Sequence, residues 1–423
     1  MRLSMTNPFS TRSPTGVQTE PSAVTKRASV LIGVVVIEIV MAFVLVPSTD
    51  HARIETTDFL NFYAGATIIR DGHGHSLYQA ETQQLALKSI LGRRVAEYYL
   101  HPPFEAAALV PLTYLRIERA FVIWTLMNTA LVGLLPLLFS GCISFVSRRP
   151  YLGLLGFAFP PVLASLTLGQ DSILLLFFIS AAYVLGAKKR DFLAGLILSL
   201  ATVKFQIVLI LALLLFVSRK YRLIGGFVAG CAILAFVSVL ITGVPGIIEY
   251  VGFVRQVDLH NGYGNVNPAS MMNWRGLLAG FGWQDHQRLY AAIGSFMLIA
   301  LGIFFASRWI RGANQELGFS LFVAIALAAS PYNYFQDAAI LLLPIFLVVD
   351  LIARNQVSGI RAKLLGSCCG LLFVWPVVLL IVGGHYFWNS RIYLVFPVII
   401  CFLFLLAAEL YAQISFTPPA VDS

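Results

Sequence analysis

Apolar runs of membrane-spanning length, separated by short polar junctions, recur along almost the whole chain. A helix needs roughly 20 apolar residues to cross ~30 Å of hydrocarbon. The pattern predicts segments near 28–47, 120–146, 151–168, 172–187, 191–203, 205–217, 223–243, 289–307, 315–330, 338–353, 364–383 and 391–413. The fifth and sixth runs are too short to cross alone and meet at Lys204, which predicts broken or re-entrant helices lining a protein cavity. Two long polar excursions interrupt the pattern, 48–119 and 244–288. In the first, Phe59, Phe62, Tyr63 and Ala66 recur at helical spacing, predicting an amphipathic helix that stops at Arg70-Asp71-Gly72. The expected architecture is an all-α polytopic membrane protein of about 12 segments, some broken. A single membrane domain over 28–413 is flanked by a polar, disordered tail at 1–27 and a short tail at 414–423.

Composition agrees with lipid as the main solvent. The 423 residues are 58% hydrophobic and 12% charged, with a mean hydropathy of +0.82, against about 25% charged residues in a soluble domain. The apolar run after the polar N-terminus is too long for a signal h-region and lacks a cleavage pattern. The five cysteines sit in or beside apolar runs without metal-ligand spacing, predicting no disulfide framework. In such a chain the net charge of +9 speaks first to orientation rather than to nucleic acid. Lys188-Lys189-Arg190, Arg219-Lys220, Arg222, Arg308, Arg354, Arg361 and Lys363 all fall on the side of the N-terminus, whereas the junctions "GQD" and "PYNYFQ" carry no basic residue. By the positive-inside rule both termini are cytoplasmic and the long excursions extracytoplasmic, in a cell (plasma or inner) membrane.

The remaining polar residues then collect on the outer face. Asp58 follows the first span among aromatics, where partial desolvation would make it a stronger base; "TTD" ahead of an apolar run also reads as a helix cap. Arg70 suits a phosphate through its planar fork, or merely marks a helix exit. Lys204 either snorkels to the interface or pairs with an anion in a cavity rimmed by Gln170, Asp171 and Gln206. His101 opens the rigid "HPPF" turn. Asp337 caps a helix or meets a sugar hydroxyl. Tyr63, Asn273, Tyr332 and His385 are further candidates for sugar or acceptor contacts, although aromatic residues at such positions also form interfacial belts. No zinc-protease, P-loop, GxSxG or dinucleotide signature is present, and "HGH" (73–75) is too short for a metal site.

The ordered set of Asp58, "RDGHGHSLY", "YYLHPPFEAAALVPL", "LGQDSILLL", "TVKFQIVLILALL" and "SPYNYFQDAAILLLP" resembles glycosyltransferase family 87, polytopic enzymes of the GT-C fold. The resemblance runs from about residue 30 to 410. It implies a hexosyltransferase that takes its sugar, typically mannose, from a polyprenyl-phosphate donor and passes it to a glycolipid or cell-envelope glycan. It also implies Asp58 as catalytic base and Lys204, Gln170 and Gln206 in the donor cavity. A single displacement of this kind needs no cofactor and no metal, because Lys204 or Arg70 can serve the phosphate. Where the family often has tyrosine before Pro-Pro, this chain has His101. The sidedness supports a lipid-linked donor independently, because nucleotide sugars stay in the cytoplasm. The competing reading is a transporter or flippase for a lipid-linked glycan; broken helices and an intramembrane lysine fit it too, but the halves show no internal repeat and the polar groups gather at one face.

Overall fold

The computed structural model describes residues 54–93, 95, 97–148, 150–259, 267–283, 285–309, 314–383 and 391–416. The N-terminal tail, the expected span 28–47 and the candidate His385 lie outside the described residues.

The first excursion folds into a small helical cap of α1 (Phe59–Arg70), α2 (Ala80–Leu91) and α3 (Pro103–Leu109). Pro103 starts α3, where its missing N–H costs nothing. The predicted α1 ends as expected at Arg70, but it is not amphipathic. From Phe59 to Ile68 every residue except Asn61 is buried. The excursion doubles back over it: a Cβ at Gly65 would stand 2.8 Å from the Tyr99 ring, so only glycine admits that ring against the helix. On the other side Phe59 stacks on Phe121 at 5.1 Å, at the start of α4 (Ile117–Phe139). The cap thus has its own aromatic core, distinct from the core of the membrane bundle.

The bundle continues with α5 (Pro160–Leu168), α6 (Ser172–Ala187), α7 (Asp191–Leu200), α8 (Phe205–Val217) and α9 (Tyr221–Leu259). After a short α10 (Trp274–Gly280) come α11 (Gln287–Trp309), α12 (Gln315–Ala329), α13 (Leu342–Ala353), α14 (Gly359–Gly383) and α15 (Phe396–Phe416). Within α9 the helix breaks at Gly243, with φ 69°, where the second excursion was expected to begin; beyond it Tyr250 and Phe253 pack on Tyr78 and Tyr98 of the cap.

Among the described residues seven helical runs are long and apolar enough to cross a membrane, or eight if the bent pair 151–158 and 160–168 counts as one. The twelve expected segments are therefore not all of spanning length. By length alone Asp191–Val217 would be one crossing, but the chain folds back within it. Lys220 lies within electrostatic reach of Asp191 and Lys189, so both ends of the run share one end of the bundle, with Lys204 at the turn between them. The packing of α7 on α9 agrees. Cβ atoms at Gly195 and Gly226 would stand 1.9 Å from the Leu223 oxygen and 2.0 Å from the Phe192 oxygen, and one at Gly230 would stand 2.1 Å from Ser199 Oγ. Gly226 and Gly230 form a small-xxx-small face, the device by which helices approach closely in lipid, where hydrophobicity does not drive them together.

The bundle has two unlike ends. At one, Arg354 pairs with Asp350 and Glu316, Arg361 with Glu409 at 3.2 Å, and Lys220 donates to Gln315 at 3.1 Å. The other end carries the cap and three recessed corners. Helices α6 and α12, of 16 and 15 residues, are only ~24 and ~22 Å long at 1.5 Å per residue, short of the hydrocarbon thickness. They turn early, and their corners meet below the cap.

Replacing Gly195 by valine should drive the Cβ into the α9 backbone and cost about 1–3 kcal/mol or more. A lowered thermal unfolding midpoint of the purified protein is expected, while Gly225→Ala, where a Cβ meets nothing within 4 Å, should leave it unchanged.

Candidate active site

Three corners form the floor of the site. The first, between α5 and α6, turns at Gly169 with φ 66°; a Cβ there would collide with Phe121 at 2.6 Å and Phe59 at 2.7 Å, and Trp124 Nε1 donates to the Gly169 carbonyl at 2.8 Å. This packing ties the corner to α1 and turns Gln170, Asp171 and Ser172 inward. The second is the 3-10 turn Ala201–Lys204, with Lys204 itself out of helical geometry at φ −114°, ψ 62°. The third runs from Ser330 to Asp337. It is stapled by Ser330 Oγ to the Tyr332 carbonyl at 2.8 Å and by Asn333 Nδ2 to the Leu327 carbonyl at 2.6 Å. The second excursion holds it from outside, with Asn273 Nδ2 donating to the Ser330 and Pro331 carbonyls at 3.0 and 2.9 Å.

Lys204 joins the three corners. Its ammonium donates to Gln170 Oε1 at 3.1 Å and lies 3.1 Å from Asp171 Oδ1 and 3.2 Å from Asp337 Oδ1. An ammonium has three protons, and each faces one acceptor. Ser172 Oγ adds a bond to Asp337 Oδ1 at 2.7 Å, and the other oxygen of Asp337 caps the Tyr334 N–H at 2.9 Å. Asp337 is therefore both helix cap and ion-pair partner. Both aspartates are almost fully buried, at 0% and 1% exposure, where a lone charge is costly and a paired one tolerable.

Above this floor opens a cavity of about 790 Å³, lined by Asp58, Asn61, His101, Gln170, Lys204, Gln206, Tyr332 and Asp337 among others. Asp58 occupies the N-cap position of α1 but makes no capping bond; its carboxylate is left facing the cavity, within hydrogen-bonding reach of Gln170. Burial pushes its pKa up, opposed by the Gln170 amide and by the positive charges of Lys204 and His101. His101 Nδ1 stands 3.0 Å from Glu105 Oε2 and 3.3 Å from Asp171 Oδ2. Burial disfavours the imidazolium, but the two carboxylates outweigh it and raise His101 to about 10. Burial likewise raises Glu105 to about 7, although His101 draws it down.

The structure brings Asp58, Lys204, Gln170, Gln206, His101, Tyr332 and Asp337 to one cavity. It places three other candidates elsewhere. Arg70 lies outside the lining, its guanidinium donating to the Thr113 carbonyl at 2.5 Å and to Asp71 at 2.8 Å, because α1 points its C-terminal end away from the floor. Tyr63 faces the cap core and donates to the Leu115 carbonyl at 2.8 Å. Asn273 is spent as a tether and as the cap of α10. The histidines of "HGH" are exposed and not in the lining. Sequence reasoning missed Glu105, although its four-residue step from His101 on a helix start was a readable signal. It also missed Arg275, which is buried and lies 5.6 Å over the Tyr332 ring.

An all-helical bundle with apolar helices of spanning length and a recessed, carboxylate-rich cavity at one end defines a polytopic membrane protein with an enzyme-like pocket. Residues 99–331 match glycosyltransferase family 87; the match covers more than half of the chain, and the protein belongs to that family. Asp58 and Asp337 lie outside the matched stretch, and the cavity joins them to it. Neither the curated proteins nor the solved structures include a match to this chain.

Removing the charge of Lys204 should leave Asp171 and Asp337 uncompensated. Lys204→Met is expected to cost about 3–5 kcal/mol, read as a lowered unfolding midpoint. Adding Asp337→Asn to that variant should recover part of the loss.

Proposed function

We propose that this glycosyltransferase moves a hexose, mannose by family resemblance, from a polyprenyl-phosphate donor to a hydroxyl of a lipid-linked or cell-envelope glycan. The observation that carries the reading is the shared cavity of Asp58 and Lys204, which come from segments 146 positions apart in the chain and meet through Gln170. The reaction is a single displacement. The acceptor hydroxyl gives its proton to Asp58 as its oxygen bonds to the anomeric carbon. The carbon–oxygen bond to the phosphate breaks on the opposite face, and polyprenyl phosphate leaves with that electron pair. A β-linked donor would yield an α-linked product.

A base in this position gains from a raised pKa, since proton transfer is most effective when the pKa approaches the working pH. Gln170 orients the carboxylate, while Lys204 acts from the floor: its ammonium is held by Gln170, Asp171 and Asp337, so it steadies the site rather than reaching toward a phosphate. Gln206 and Tyr332 flank the opening where a sugar would lie. The charge asymmetry between the two ends of the bundle supports an extracytoplasmic cavity in the cell membrane. A donor confined to the bilayer suits a cavity recessed between short helices.

Purified protein supplied with radiolabelled polyprenyl-phosphate mannose and a membrane lipid extract should transfer the label. Asp58→Asn is expected to lose about 10²–10⁴-fold, with His73→Ala unaffected. Labelled lipid crossing a proteoliposome without transfer would replace this reading with a flippase. Because burial raises the Asp58 pKa, the base is protonated, and activity lost, as pH falls through a value above the ordinary ~3.9 of aspartate. A pH–rate profile whose acidic limb lies at or below that value would contradict Asp58 as the base.

A further inference from the structure

We propose that His101, Glu105 and Asp171 form a binding site for a divalent cation of the Mg2+ or Mn2+ class at the edge of the cavity floor. One ligand atom from each lies within 4.8 Å of the others. The His101 contacts, 3.0 Å to Glu105 and 3.3 Å to Asp171, match the edge of a coordination sphere: ~3.0 Å between adjacent ligands for bonds of about 2.1 Å, and ~3.4 Å for about 2.4 Å. A protonated imidazole explains the cluster less well. Nδ1 carries one proton and faces two carboxylates, and neither contact has hydrogen-bond alignment. Glu105 is only 4% exposed, yet both its oxygens lack a hydrogen-bond donor, and so does Asp171 Oδ2, the other oxygen of Asp171 being paired with Lys204. Buried polar atoms so exposed to their own charge call for a partner.

The charge balance points the same way. Asp58 and Asp337 line the cavity, Glu105 and Asp171 lie beside it around His101, and with that imidazole neutral the positive charge facing them is Lys204, with Arg275 behind Tyr332. Lys204 takes one oxygen of Asp171 and leaves the other turned toward His101. A cation there would balance the carboxylates and present positive charge beside Asp58, where neither Lys204 nor Arg70 is placed to reach out. Carboxylate oxygens suit Mg2+ and Mn2+, and the softer Mn2+ also takes a neutral imidazole nitrogen beside them. The site rests on these residues alone; its use in sugar transfer rests on the reading above.

Chelator-stripped protein titrated with Mn2+ and followed by electron paramagnetic resonance should bind one ion per chain, with ¹⁴N coupling from a histidine in pulsed spectra. Glu105→Gln and His101→Ala should weaken binding by at least about tenfold. Asp58→Asn should keep the ion while losing transfer, so the two proposals fail separately. The nitrogen coupling is read on the unaltered protein and does not depend on any variant folding. Failure to bind Mn2+ stoichiometrically, or bound Mn2+ without nitrogen coupling, would overturn the site and leave His101 a protonated bridge.

Discussion

A charged lysine below the membrane surface survives only if carboxylates come to it, and Lys204 obtains two from different parts of the chain. That requirement shapes the fold. Asp171 and Asp337 sit at the starts of descending helices, and Lys204 at the turn of a folded-back pair. For the three to meet, α6, α7, α8 and α12 must stop short of the far surface. The shortness of these helices is thus the geometric consequence of one buried ion cluster. The same shortness opens the recess above Lys204 that the cavity occupies.

The cap supplies the residue the floor lacks. Phe59, Phe121 and Trp124 pack around the Gly169 corner, fixing the first turn of α1 directly over Gln170. Asp58 precedes that turn, and its side chain leaves the capping role unfilled. A helix start that forgoes its cap gives up roughly 1 kcal/mol of local stability; here the surrounding aromatic packing of Phe59 and Phe62 compensates. The carboxylate is thereby held against the cavity by rigid elements and not by a loose loop.

Polarity is unevenly divided between the two ends. At the basic end the charges pair locally, as in Arg354 with Asp350 and Glu316, and serve to close helix termini. At the cavity end the carboxylates outnumber their partners, and His101 and Lys204 are shared among them. An excess of buried acid is expensive to maintain and is the usual mark of a site where protons or cations are handled.

What the sequence by itself determined was local. Apolar run length made the chain a helical membrane protein, and Gly72 marked the end of α1 that the backbone bears out, whereas the break at Gly243 appears only in the structure. Asp58 and Lys204 stood out because charge beside or within an apolar run is rare. The tertiary structure alone decided which polar residues meet. Asn273 and Tyr63 have side chains as suitable for sugar contact as Tyr332, yet the first tethers a corner and the second faces a core. Glu105 looked like one acid among several until Asp171, 66 positions away in the chain, came beside the same histidine. Periodicity reports how each helix faces its surroundings; only packing reports which helix provides them.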